Sequence, residues 1–181
     1  ITGAYITLSL VVAAPLVIDV LGGKGFAPAV PVLRLQSLAL LGGFLGTTWS
    51  YTLLSLRMHG ALLRVTLAGL VLSIGLSAAL VPSLGAKGAS IAAVAGEFVV
   101  AGGYALALIR SHPHLRPATG AVSKVALATA AGASVLLLPL PSIVLWVVAS
   151  LVYLSLLLML RAFPVELLHL LPKRGGGSGR A

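Results

Sequence analysis

The sequence has no cysteine and only three acidic residues among 181, and charged residues of either sign make up just 8% of the chain. Without cysteine there can be no disulfide, no thiolate nucleophile and no cysteine-ligated metal. The acids are Asp19, Glu97 and Glu166, far apart in sequence, which leaves too few for a paired-carboxylate hydrolase or a metal-dependent membrane transferase. A Walker A loop, a nucleophile elbow and an HExxH helix are also missing. His59, His112, His114 and His169 fall in loops or interfacial stretches, and no carboxylate accompanies His112 and His114. No metal site, no cofactor and no enzymatic activity are therefore expected. Charge is replaced by apolar surface: 59% of residues are hydrophobic and the mean hydropathy is +1.14. A soluble domain of this size needs far more charge, so the composition is that of an integral membrane protein.

Six apolar runs, at about 2–20, 31–56, 61–81, 86–109, 122–140 and 142–160, approach or exceed the roughly 20 residues that a bilayer core requires. None alternates with period two for long, which favours helices over barrel strands. The expected fold is all-α: a polytopic membrane bundle of six transmembrane helices filling residues 1–161, the last two joined as a hairpin through Pro139 and Pro141. Residues 162–172 place Glu166 and His169 among apolar neighbours and predict an amphipathic segment in the membrane interface. Residues 173–181 read as a flexible, basic, glycine-rich tail. Residues 1–20 lack a basic n-region, so they read as a span rather than a signal peptide, and the chain reads as part of a longer polypeptide.

The net charge of +9 is dispersed between the spans rather than gathered into a patch, so membrane lipids and not nucleic acid are the expected partners. Arg57, Arg64, Arg110, Arg116, Lys124, Arg161, Lys173, Arg174 and Arg180 fall on one side of the predicted bundle, and only Lys24, Arg34 and Lys87 on the other. The positive-inside rule then puts both chain ends in the cytoplasm (N-in/C-in) of a multi-pass protein of the cell (cytoplasmic) membrane.

Residues 81–96 organise the chain. Pro82, Gly85 and Gly88 break it between two apolar runs, and Gly88, Ala92 and Gly96 then recur every four residues. Such a small-residue stripe lets another helix backbone come close, which is how helices associate in lipid. Glu97 follows directly, about 16 Å into its span and so near the bilayer centre. Ionised groups there are costly and usually face the protein interior or a watery path, and Ala89 and Ala93 on the same face predict an inward direction. Glu97 is thus a candidate for coupling or transport; a protonated Glu bonded to a neighbouring helix is the other reading. In the second span Gln36, Gly43, Thr47 and Ser50 share one face, which would line a polar cavity unless the hydroxyls bond back to their own helix. Arg34, near the outer interface, and Arg57, in the turn after the second span, are further candidates for contacting a phosphate-bearing substrate. Arg57 and Arg64 are most simply read as topology anchors that also attract anionic inner-leaflet lipid.

Three stretches carry a family resemblance: residues 21–38 (LGGKGFAPAVPVLRLQSL), 54–60 (LSLRMHG) and 80–92 (LVPSLGAKGASIA). In this order and spacing they resemble the C-terminal region of polysaccharide-biosynthesis flippases of the multidrug/oligosaccharidyl-lipid/polysaccharide exporter superfamily. The likeness covers about residues 1–110; the last two spans are similar only as a generic terminal hairpin. It implies a protein of twelve to fourteen helices in two lobes around a central cavity, moving a lipid-linked oligosaccharide across the membrane by alternating access. This chain would be the last six helices, with the missing N-terminal lobe of the same polypeptide and the lipid-linked glycan as its partners. The cationic cavity residues that such proteins often carry in the first lobe have no counterpart to assign here, leaving Arg34, Arg57 and Glu97. An ion-coupled small-molecule exporter, or a membrane subunit of an envelope-polymer assembly complex, are the alternative readings.

Overall fold

The computed structural model describes residues 1–113 and 119–160, and every described segment outside short turns is helical. Six α-helices follow in chain order: α1 (Thr2–Gly22), α2 (Val30–Ser55), α3 (His59–Leu84), α4 (Ala86–Ser111), α5 (Thr119–Ser134) and α6 (Ser142–Met159). A 3-10 segment, Lys24–Ala29, leads into α2 and a shorter one, Val135–Leu137, ends α5. Among the described residues five segments are long and apolar enough to cross a membrane: Thr2–Gly22, Lys24–Ser55, His59–Leu84, Ala86–Ser111 and Ser142–Met159. That is the pattern of a multi-pass membrane protein. The expected interfacial segment 162–172 and tail 173–181 lie outside the described residues, as do His114, Arg116 and Glu166.

The helix ends follow from local chemistry. A single glycine, Gly85, joins α3 to α4 with φ 57° and ψ −135°, a backbone that side chains other than glycine's rarely tolerate. Pro82 and Gly88 do not break the chain as anticipated: Pro82 sits within the last turn of α3 and Gly88 within the first turn of α4. The fifth expected span, 122–140, is corrected: its helix stops at Ser134, tightens into a 3-10 turn and becomes extended at Leu138 (φ −84°, ψ 136°). Leu138 precedes Pro139, and a residue before proline is driven out of the helical region. At about 1.5 Å per residue α5 is roughly 24 Å long, short of a bilayer core of about 30 Å.

In space the order is α3, α4, α2, α1, with α5 and α6 beyond α1. Thus α4 is wedged between α2 and α3, which barely touch each other. The wedge is possible because α4 is small on two faces. Gly88, Ala92 and Gly96 are buried; a Cβ on Gly88 would collide with Leu80, and one on Gly96 would lie 2.6 Å from Ser73 Oγ, both in α3. Ser73 Oγ donates to the Ala92 carbonyl at 3.2 Å, and Thr66 and Tyr104 hydroxyls meet at 2.7 Å. Since the Thr66 hydroxyl also donates to Leu62 O (2.8 Å), the Tyr104 hydroxyl is the donor to Thr66. Toward α2, Gly46 faces Ala101. A separate apolar core joins the other helices: Leu8 and Val12 of α1, Ala128 of α5, and Ala149, Tyr153 and Leu157 of α6. The bundle is therefore two packed groups, α2–α4–α3 and α1–α5–α6, meeting along α1 and α2.

Candidate functional site

The centre of the α2–α4 contact is an adjacent glycine pair. A Cβ on Gly42 would sit 2.8 Å from Glu97 Cβ and 3.1 Å from the Glu97 carbonyl carbon, so only a bare backbone admits Glu97 here. A Cβ on Gly43 would lie 3.5 Å from Glu97 Oε2, which places the carboxylate over the Gly43 backbone. Gly43 belongs to the same α2 face as Gln36, Thr47 and Ser50, so the structure brings the acid of α4 to the polar face of α2. The face is open: Gln36, Thr47 and Glu97 are exposed, and Ser50 is half-buried.

Within the described residues Glu97 is exposed on the bundle rather than enclosed by it. Ala89 is exposed as well and Ala93 half-buried, because the Gly88–Ala92–Gly96 stripe next to them has taken the contact with α3. Among the described residues no side chain or backbone group forms a hydrogen bond or ion pair with the Glu97 carboxylate. Its polarity is directed outward, beside Gly43.

The hydroxyls of α2 bond back to their own helix. Thr47 Oγ1 donates to Gly43 O (2.8 Å) and Ser50 Oγ to Thr47 O (2.8 Å), with Thr48, Thr52 and Ser55 doing likewise. Back-bonding spends the hydroxyl proton and leaves the oxygen lone pairs. The face is therefore rich in acceptors: hydroxyl oxygens, the Gln36 amide oxygen and a carboxylate. That chemistry suits a ligand that donates many hydrogen bonds, such as one carrying several hydroxyls.

Arg34 is elsewhere. Its Nε donates to the Val11 carbonyl of α1 at 3.2 Å, and the side chain is half-buried. Val11 lies four residues before Pro15, which sits inside α1 and has no N–H to give. The carbonyl that proline orphans is the one that Arg34 satisfies. Arg34 also lies nine residues before Gly43, about 13 Å along the helix axis, and so does not reach Glu97. Sequence reasoning missed this pairing; a proline inside a span and an arginine one turn into the next were its signal.

Arg57 is an exposed turn residue with φ 56°, the one described non-glycine residue with positive φ. Met58 N donates to Leu53 O and Arg57 N to Leu54 O, both at 2.9 Å, and Met58 packs against the cluster of Leu53, Tyr104 and Leu108. This is a Schellman closure with arginine where glycine is usual. Left-handed backbone costs an L-residue about 1–2 kcal/mol, so Arg57→Gly is expected to stabilise the protein by roughly 0.5–1 kcal/mol. Thermal unfolding in detergent would show it as a raised midpoint; a lowered one would mean that the Arg57 side chain holds the turn. Arg57 lies about 21 Å along α2 from Gly43, away from the Glu97 site.

Among the described residues, hollows open at two places on the flanks of the bundle. One of 460 Å³ opens between the end of α1 and the start of α6, with Asp19, Lys24 and Pro141 in its wall. The other, of 390 Å³, opens between the first turns of α3 and the last turns of α4. Neither includes Glu97. Among the described residues no group of three His, Asp or Glu side chains could hold a metal ion.

No family model, curated protein or solved structure matches this chain. Fold and site together define a class: an all-helical, multi-pass membrane protein whose α2 and α4 present one open, acceptor-rich face with a carboxylate at its middle.

Proposed function

We propose that this chain is the C-terminal lobe of a flippase of the cytoplasmic membrane that moves a lipid-linked oligosaccharide between leaflets by alternating access. The observation that carries this reading is the meeting of Glu97 with the Gly43 face of α2, polar and open in a bundle that is otherwise apolar. Lipid is a poor neighbour for an unpartnered carboxylate at that depth. A second lobe, closing over the face, would turn it into one wall of a shielded polar path. Sugar hydroxyls would donate to Gln36, Thr47 and Ser50 oxygens while the polyprenyl-type tail stayed in lipid. Helices α1 to α6 would then cross the membrane six times with both ends cytoplasmic, α5 being completed by its 3-10 turn. The resemblance of residues 21–38, 54–60 and 80–92 to polysaccharide flippases supports the same reading. No bond is made or broken in such a cycle, so no catalytic group is invoked.

The test is reconstitution of the full-length protein in liposomes with a fluorescent lipid-linked oligosaccharide, scored by its accessibility to an external lectin. Movement of the glycolipid, with no export of small organic cations, is the expected result. Export of cations down an ion gradient without glycolipid movement would replace the proposal by an ion-coupled small-molecule exporter. Activity in neither assay would favour a subunit of an envelope-polymer assembly complex.

A further inference from the structure

The hollow between α3 and α4 has a composition of its own. Its walls are Met58, Val65, Leu106 and Ala107, and its rim carries Arg64 and Arg110. Arg64 Nε donates to Gly60 O at 3.1 Å, which holds the side chain toward the start of α3 and leaves its two terminal nitrogens without a hydrogen-bond partner among the described residues. Both arginines are exposed. Among the described residues no acid lines the cleft; the acid of α4, Glu97, is thirteen residues before Arg110, about 20 Å along the axis. Depth is equally telling. Helices α3 and α4 have 26 residues each, about 39 Å, so they outrun a hydrocarbon core of about 30 Å. Arg64 is five residues into α3 and Arg110 is in the last turn of α4, which sets both at the level of lipid headgroups.

We propose that this cleft binds the phosphate of an anionic membrane lipid, with Arg64 and Arg110 clamping the headgroup and the apolar wall taking the start of an acyl chain. Guanidinium suits the role because its planar fork pairs two phosphate oxygens at once. The site is independent of what is transported along α2.

The full-length protein in neutral detergent would be titrated with phosphatidylglycerol, phosphatidylcholine or inorganic phosphate, and bound lipid counted by native mass spectrometry. Phosphatidylglycerol is expected to bind tightest. Arg64→Gln and Arg110→Gln should each weaken it about fivefold, and the pair about 25-fold if the effects are independent, with phosphatidylcholine unchanged. Lys87→Gln, at the opposite end of α4, should change nothing; folding of each variant is checked by its unfolding midpoint. Equal binding of the two lipids, or unaltered phosphatidylglycerol binding by the double variant, would overturn the proposal. Displacement of phosphatidylglycerol by millimolar inorganic phosphate would reassign the cleft to a free anion.

Discussion

Glu97→Gln in the full-length protein is expected to lower delivery of lipid-linked glycan to the outer leaflet by roughly 2- to 30-fold, with normal amounts of protein in the membrane. The magnitude follows from chemistry at the face. A hydrogen bond to a charged group contributes about 1.5–3 kcal/mol, against roughly 1 for a neutral one, and each 1.4 kcal/mol lost from a rate-determining step is about a factor of ten. Folding is spared because the carboxylate has no partner among the described residues to lose. The amide is isosteric, and the tight part of the contact, Glu97 Cβ against Gly42, is unchanged. Glu97→Asp should recover part of the activity, since it keeps the charge one methylene farther from Gly43. Delivery is measured in cells lacking the native copy, by surface glycan against membrane-inserted protein. Full delivery by the Gln variant would reduce Glu97 to a polar spacer on Gly42, and the proposed path would then need another carboxylate.

The legible part of this fold is what single helices determine. Apolar runs place α1, α2, α3, α4 and α6 within a few residues, because each need only match the bilayer. The small residues Gly88, Ala92 and Gly96 are visible in the sequence as a close-packing stripe, and the structure buries all three. What was not legible depends on which helices are neighbours. Nothing local to α4 says that α2, rather than α3, meets its Glu97 side, so the sequence alone does not determine which helix Glu97 lies against. The Gly42–Gly43 pair was the overlooked sign, since two adjacent glycines in a helix interior cost about 1 kcal/mol each and need a packing reason. The short α5 was missed for a different cause: counting apolar residues through Leu140 ignored what Pro139 does to the residue before it.

Arg34 offers the second large effect, and it is a matter of assembly rather than transport. Arg34→Met keeps the length and apolar stem but withdraws the donor from Val11 O, and leaving that half-buried carbonyl without a partner is expected to cost about 1 kcal/mol, the low end for a buried group. Pro15→Ala should reverse the dependence. An N–H at position 15 returns the helical bond to Val11, so Arg34→Met in that background should cost less by about 1 kcal/mol, within the range of cycles on membrane helices. Pro15→Ala alone is expected to be neutral or stabilising, because a carbonyl oxygen has lone pairs for both donors. Reversible unfolding in mixed micelles gives the four stabilities. Equal costs of Arg34→Met in the two backgrounds would show that the guanidinium acts elsewhere, and would return it to the list of substrate contacts. The expected coupling has a structural meaning. Val11 and Arg34 lie where α1 meets α2, at the seam between the α1–α5–α6 and α2–α4–α3 groups, so a proline in one helix and an arginine in the other form a polar tie across it. A proline that merely bent α1 would leave an unsatisfied carbonyl facing apolar surroundings. Paired with Arg34, it directs that carbonyl into the joint and fixes how the open face of α2 is presented.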